Sequence, residues 1–337
     1  MKAIIIQGTF GLDSLAQVDL KDPVPERDQV VIRMRAASLN FRDLMTVRGH
    51  YNPKQPLPLV PLSDGVGEVV DVGPDVTRVK KGDRVCPIFT QGWIEGDVTA
   101  EKLRTTLGGP LPGVLSELFV TRESGLVHVP AHLSDAEAAT LPCAAVTAYN
   151  ALLSTGAVTA GDTVLVQGTG GVSMFALQFA KMVGARVIVT SSSDAKLERA
   201  KSLGAWETIN YKTNPDWDKR AIELTGGVGV DHVVEVGGAG TLARSVKATR
   251  VAGTISVIGV LAGAAESFNV LPVLMKQLRL QGIMVGSRSM FEAMNRAIAV
   301  NALRPVVDAK TFAFGEARAA LEYMASGEHF GKIVLRF

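Results

Sequence analysis

The chain has 337 residues, 47% of them hydrophobic and 20% charged, with a formal net charge of +2. That length accommodates two domains with a sizeable core, and the composition excludes a disordered or fibrous chain. The small net charge, with Lys and Arg dispersed, argues against a nucleic-acid partner. The two distant cysteines, Cys86 and Cys143, give no disulfide framework, and no apolar run approaches a membrane span. A soluble protein of a reducing, cytoplasmic compartment is expected.

The chain opens on a strand pattern, Lys2 to Gln7, and not on a signal peptide. Short strand patterns follow at Gln29–Ala36, Gly65–Val72, Arg84–Phe89 and Ser116–Val120, separated by Pro and Gly, as in a compact β-rich domain. Residues 91–113 are the least regular and read as a loop excursion. From about residue 144 the pattern becomes strand–helix alternation. Strands read at 163–167, 186–190, 207–210, 232–236, 253–259 and 279–285, and helices at 171–183, 195–203, 215–225 and 240–249. Such alternation predicts a parallel sheet with helices on both faces. Asp194 is the expected N-cap of the second helix and Gly204 its C′ residue. Two further helices (289–302 and 316–325) and a terminal strand (332–336) complete the chain.

The most informative stretch is Thr163-Val-Leu-Val-Gln-Gly168-Thr169-Gly170-Gly171-Val172-Ser173. A strand runs into a glycine cluster, and Val172, Phe175, Ala176, Phe179, Ala180 and Val183 then mark one helix face. Gly168 permits a tight turn, Gly170 a close approach to a pyrophosphate, and the helix N-terminus offers free N–H groups. Ser173 occupies the place of the third glycine, so the fingerprint is incomplete. Strand, turn and helix together predict dinucleotide binding over Gly168–Val172.

The order and spacing of several motifs resemble the medium-chain dehydrogenase/reductase superfamily over essentially the whole chain. They are Asn40-Phe-Arg-Asp43, Pro61-Leu-Ser-Asp64-Gly65-Val-Gly67-Glu68, Gly82-Asp83-Arg84-Val85, Leu141-Pro-Cys-Ala-Ala-Val-Thr147-Ala-Tyr149, the glycine turn and Gly331-Lys332-Ile-Val. The resemblance implies a Rossmann doubly wound sheet domain (144–286) inserted in a β-rich, GroES-like catalytic domain (1–143, completed by 287–337). Catalysis is then expected at the carboxyl ends of the parallel strands.

Zinc-dependent members use cysteine, histidine and cysteine as catalytic ligands. Here Asn40 and Ser63 stand at the first two positions, and Cys143 alone matches. Zinc needs three protein N or S ligands and an open position; Asp64 could bind a metal, but a Cys143/Asp64 pair is still short of a site, so no metal is expected, and Cys143 is expected to be a small buried hydrophobe. The chain is similar to the zinc-free quinone oxidoreductase and enoyl reductase branch, which carries Asn-x-x-Asp at Asn40–Asp43. Reducing a conjugated C=C places negative charge on an enolate oxygen, which hydrogen-bond donors stabilise.

Asn40 is the first choice for a substrate or ribose contact; the alternative is a loop-capping asparagine. Tyr51 matches the proposed proton donor of resembling enoyl reductases, and its alternative is a rim residue packing on substrate. His50 is the other nearby acid. Asp43 is expected to organise local hydrogen bonds. Thr147 matches a position against the nicotinamide, and Arg288 is either a substrate-side or a surface arginine.

The second strand ends Val189-Thr-Ser191-Ser192-Ser193 with no acid at its tip, where NAD-dependent enzymes hold the ribose 2′-OH. Ser191, Ser192, Lys196 and Tyr211 resemble the 2′-phosphate set of NADP-dependent alkenal reductases, so NADP(H) is the expected cofactor. Further contacts are expected from Gly237, Gly259 and Lys332. An NADP-dependent reductase of activated alkenes or quinones is the leading reading. An alcohol/aldehyde dehydrogenase and a non-catalytic NADPH-binding protein are the alternatives. Residues Arg279–Gly286 form an apolar edge-strand candidate for a homodimer contact.

Overall fold

The computed structural model describes residues 1–265 and 267–337. The chain forms two units, Met1–Val146 with Gly286–Phe337, and Thr147–Val285.

The first unit is built on a seven-stranded sheet running Phe312–Ala313, Val334–Arg336, Gln29–Ser38, Asp64–Val72, Arg84–Pro87 and Leu126–His128, with Leu118–Arg122 also paired to Gln29–Ser38. All pairings except the first are antiparallel. Lys2–Ile6 and Leu15–Asp19 form a separate antiparallel pair. Alternating residues of the central strand, Val30, Ile32 and Met34, bury against Val69, Val85, Leu115 and Phe119, the period-2 pattern of a sheet with one core face. Met324, Leu321 and Ala320 of the helix Ala317–Ser326 complete that core.

Register determines what meets at one end of this sheet. Ser38, the last residue of the central strand, pairs with Asp64 on one side and Val334 on the other. Both neighbours run antiparallel to it. The residues just after Ser38, those flanking Asp64 and those just before Val334 therefore converge, although they are remote in sequence.

The second unit is a six-stranded, wholly parallel sheet. Its order is Glu207–Asn210, Arg186–Ser191, Thr163–Gln167, Val230–Glu235, Thr249–Val257 and Arg279–Gly282. In chain order this reads third, second, first, fourth, fifth, sixth: a doubly wound Rossmann sheet. Its topological switch point lies between the first and fourth strands, where such sheets bind ligands at the carboxyl ends. The first strand is buried throughout, as parallel strands covered on both faces must be. Leu165, Ile188, Ile209, Val233 and Ile255 share one core with Trp217 and Val246 from the covering helices.

Three local expectations change. The N-cap of the helix Asp194–Ser202 is Ser193, whose hydroxyl accepts from Lys196 N at 3.4 Å; Asp194 is the first helical residue, and its carboxylate accepts from Asn210 Nδ2 at 2.6 Å. The last strand ends at Gly282 and does not extend to 285, where Val285 adopts a left-handed φ of 52° incompatible with a strand. The segment 91–113 contains a short helix, Ala100–Leu103, capped by Thr99.

Candidate active site

In the first unit the sheet end gathers a buried polar cluster. Asn40 takes the N-cap position of the helix Phe41–Val47, and Asp43 Oδ2 accepts from its backbone N–H at 2.8 Å. The Asn40 side chain is directed to its neighbours on the sheet: Nδ2 donates to Ser63 Oγ at 3.4 Å, and Oδ1 accepts from Lys332 Nζ at 2.6 Å. Lys332 also donates to Leu39 O at 2.5 Å and lies 3.8 Å from Asp64 Oδ2. Asp64 Oδ1 accepts from Ser63 Oγ at 2.7 Å, and Oδ2 from Cys143 N at 3.0 Å. Asp43, Ser63 and Asp64 are fully buried.

Electrostatics follow from that burial. Loss of hydration pushes the Asp43 carboxyl up to about 6, against the opposing pull of Arg42. Burial raises Asp64 as well, and Lys332 is the principal group opposing it. The half-buried Cys143 thiol is pushed above the ordinary thiol range by desolvation and by the Asp64 carboxylate.

These donors do not fit a zinc ion. The positions that resemble zinc ligands offer an amide, a hydroxyl and a single thiol, with an ammonium bonded among them; zinc calls for three thiolate, imidazole or carboxylate donors. Among the described residues no group of three or more His, Cys, Asp and Glu side chains is placed to hold a metal.

Arg42 links the same helix to the loop that follows residue 91. Its Nη1 donates to Leu107 O at 2.8 Å and its Nη2 to Gly109 O. The guanidinium carbon stands 4.9 Å from the Tyr51 ring centre and 5.1 Å from that of Phe89. Tyr51 is 42% exposed, and His50 beside it is also exposed. Arg288 is engaged elsewhere in this unit: Nη1 donates to Ser124 O at 2.8 Å, and Nε lies 3.4 Å from Glu292 Oε1.

In the second unit most residues expected at a dinucleotide lie at or just beyond the carboxyl ends of the strands, whereas Thr147 lies on the short helix Val146–Tyr149. Gly168 follows the first strand with φ +71°, a value only glycine adopts without strain. Gly170 is the N-cap of the helix Gly171–Met182, and a Cβ built there would meet nothing within 4 Å. Val172 is half-buried in the first turn, and Thr169 and Thr147 are buried. Ser173 stands where the fingerprint has glycine because its hydroxyl donates to Gln167 O at 2.7 Å, tying the helix to the strand end. The open backbone at Gly170 and the helix N-terminus fit a pyrophosphate.

Ser191 ends the second strand and is buried. Its carbonyl accepts from Tyr211 N at 3.0 Å, and its hydroxyl from Ser193 N at 3.3 Å. Ser192 and Lys196 are half-buried, and Tyr211 is 42% exposed. No carboxylate occupies the strand tip itself. Lys332, expected with this set, lies in the other unit with its ammonium bonded to Leu39 and Asn40.

A further buried group, not among the residues expected from sequence, lies at the switch point. Glu235, last residue of the fourth strand, is fully buried. Its Oε1 accepts from Gly237 N (2.9 Å), Gly238 N (3.0 Å) and Thr241 Oγ1 (2.6 Å), and its Oε2 from Gln167 Nε2 (2.7 Å) and Ser245 Oγ. Gln167 Oε1 in turn accepts from Val236 N and Gly237 N at 3.1 and 3.2 Å. Gly237, in this loop, is thereby fixed; Gly259 lies beyond the neighbouring fifth strand. The available signal was a polar residue closing each of two adjacent parallel strands, Gln167 directly before Gly168 and Glu235 two residues before Gly237.

Two family models match the chain: "Alcohol dehydrogenase GroES-like domain" over residues 26–131 and "Zinc-binding dehydrogenase" over residues 171–300. The chain belongs to the medium-chain dehydrogenase/reductase superfamily and is a nicotinamide-dependent oxidoreductase. It is 44% identical to the zinc-type alcohol dehydrogenase-like protein C1773.06c of Schizosaccharomyces pombe, covering 100% of this chain and 99% of that protein. It is 29% identical to the acryloyl-coenzyme A reductase of Metallosphaera sedula, covering 99% of each. The crystal structure of an NAD-dependent alcohol dehydrogenase is 35% identical to this chain, with 100% of both chains covered and a TM-score of 0.91. Among the described residues, no helix is long and apolar enough to cross a membrane.

Proposed function

We propose that this chain is an NADPH-dependent, zinc-independent reductase of activated alkenes, with quinones as further substrates. The observation that carries the reading is the Asn40 amide, a neutral hydrogen-bond donor at a position where zinc-dependent members hold a metal ligand, with the Lys332 ammonium bonded to its oxygen. A donor of this kind stabilises charge on a conjugated oxygen but does not supply the Lewis acid that zinc-dependent alcohol oxidation uses. The likeness to an acryloyl-coenzyme A reductase supports it, since an acryloyl thioester is an activated alkene.

When bound, the nicotinamide supplies the hydride. Gly168–Val172 would hold its pyrophosphate on free N–H groups, and Gly237, Gly259 and Thr147 would line the rest of the dinucleotide. Ser191, Ser192, Lys196 and Tyr211 would receive the 2′-phosphate. Asn40 donates to the substrate oxygen as that oxygen gains charge. Asp43 holds the Asn40 backbone in place through its own buried carboxyl. Tyr51 gives the proton that completes alkene reduction, and Arg42 packs against its ring.

The chain self-associates through the edge strand Arg279–Gly282. That strand leaves one side unpaired, and Leu271, Leu274, Met275, Leu280 and Met284 around it are exposed. Replacing Leu280→Lys should halve the mass in solution; a chain already monomeric refutes this part.

The experiment offers NADPH with a 2-enal or a quinone, and NADP+ with a simple alcohol, each with and without chelator. Chelator-resistant turnover of the enal and quinone is expected. Chelator-sensitive alcohol oxidation would instead establish a metal-dependent alcohol dehydrogenase, and cofactor binding without any turnover a non-catalytic protein.

A further inference from the structure

The polar cluster of the first unit contains a cation with a specific relation to the Asn40 amide. Lys332 is 3% exposed and fully enclosed by acceptors: Leu39 O at 2.5 Å, Asn40 Oδ1 at 2.6 Å and, at ion-pair distance, Asp64 Oδ2 at 3.8 Å. An ammonium carries donors only. The Asn40 atom facing it must be the carbonyl oxygen, and the amide is thereby prevented from turning. Ser63 reinforces this from the other side. Its hydroxyl proton is committed to Asp64 Oδ1 at 2.7 Å, so toward Asn40 it is an acceptor. A buried cation on one end and an oriented hydroxyl on the other leave Asn40 one orientation, with its N–H edge as the donor end.

We propose that Lys332 is a positioning residue that fixes the Asn40 amide and polarises it, so that Asn40 acts on substrate as a strengthened N–H donor. A charge on the amide oxygen draws electron density through the conjugated C–N bond and sharpens the N–H donors at the far end. Asp64 anchors the ammonium without neutralising that effect, because it is 3.8 Å from Nζ whereas Asn40 Oδ1 is at 2.6 Å. The inference rests on the proposed reading of Asn40 as a substrate contact. It departs from the expectation that Lys332 binds the cofactor, since the ammonium is already committed within its own unit.

The test compares Lys332→Gln, which keeps a donor toward Asn40 without the charge, with Lys332→Met, which keeps neither. Three quantities are read: kcat on a 2-enal, Kd for NADPH, and the 15N shift of the Asn40 side-chain amide in asparagine-labelled protein, assigned by its loss in Asn40→Asp. Removing a preorganised donor to a developing oxyanion costs about 10²–10³-fold in rate. Lys332→Met should therefore lose about 10²-fold in kcat and Lys332→Gln roughly ten-fold, with NADPH Kd unchanged in both. The Asn40 resonance should move upfield in Lys332→Met and less far in Lys332→Gln. Weakened NADPH binding with kcat intact would make Lys332 a cofactor ligand and overturn the proposal, as would an Asn40 resonance that does not move. If Lys332→Met fails to fold because Asp64 is left buried and unpaired, Lys332→Met with Asp64→Asn is read in its place. A wild-type protein that turns over no enal refutes the proposed function alone, and the resonance series then decides the role of Lys332.

Discussion

Glu235→Gln is the substitution whose cost follows most directly from the structure. The carboxylate accepts five hydrogen bonds, three on Oε1 and two on Oε2, with no exposure to water. A glutamine there must point its NH₂ at one set of donors. Toward Oε1 it would face two backbone N–H groups that cannot turn away. Toward Oε2 it would face Gln167 Nε2, and turning Gln167 would forfeit the bonds its oxygen accepts from Val236 N and Gly237 N. Either way at least one charge-assisted bond is lost and one buried donor orphaned, roughly 3 kcal/mol in all. For a domain of this size that lowers the melting temperature by roughly 6–12 °C. The loop Val236–Thr241 loosens with it, so NADPH should bind at least several-fold more weakly. Ser245→Ala, which removes a single donor, should cost less on both counts. Thermal melts and NADPH fluorescence titration measure these effects. A Glu235→Gln protein with wild-type melting and wild-type affinity would refute the reasoning.

Lys196→Ala should weaken NADPH by about ten-fold or more, the cost of one charge-assisted contact, and leave NADH nearly unchanged; equal losses in competition titrations would sink the NADP assignment. Asp43 is raised from 3.8 to about 6 in the folded chain. Between those values the native state holds a proton that the unfolded chain has released, so this group's contribution to stability falls as pH rises through the window and is flat above it. Asp43→Asn abolishes that slope, so its stability relative to wild type should improve by up to about 3 kcal/mol from pH 4 to pH 6; parallel stability curves would show that Asp43 does not titrate there. Tyr51→Phe should lower kcat on an enone by about 10²–10⁴-fold and spare a quinone, whose oxyanions take protons from water. An unchanged enone-to-quinone ratio would leave the proton to His50 or solvent.

What was legible in the sequence was whatever periodicity and local chemistry write into neighbouring residues. The six parallel strands follow from short β-prone runs alternating with helix patterns, and the turn at Gly168–Gly171 from glycines after an apolar run; all lie within a few residues of their expected places. The helix after the turn is the instructive partial case. Phe175, Ala176, Phe179 and Ala180 mark its expected face, yet Met174 and Leu177 are buried too. A helix covered on more than one side cannot be bounded by a single stripe. The polar clusters were illegible for a different reason. Asn40, Asp64 and Lys332 meet only because Ser38 pairs with Asp64 and with Val334 in one sheet, and register between remote strands leaves no trace in local pattern. Glu235 and Gln167 belong to adjacent strands brought together by the switch in winding. Ser193 took the cap from Asp194 by one position, a shift smaller than propensity resolves, since both residues cap well.

The central claim is that hydride is delivered to an alkene carbon conjugated to an oxygen held by a neutral donor. It is tested most directly by where deuterium comes to rest. Chelator-treated protein is given NADPH deuterated at the transferable position with a 2-enal, and the product is read by NMR. The account predicts a saturated aldehyde bearing deuterium at the β-carbon. Deuterium at the carbonyl carbon of an allylic alcohol, with turnover restored only by added zinc, would contradict it.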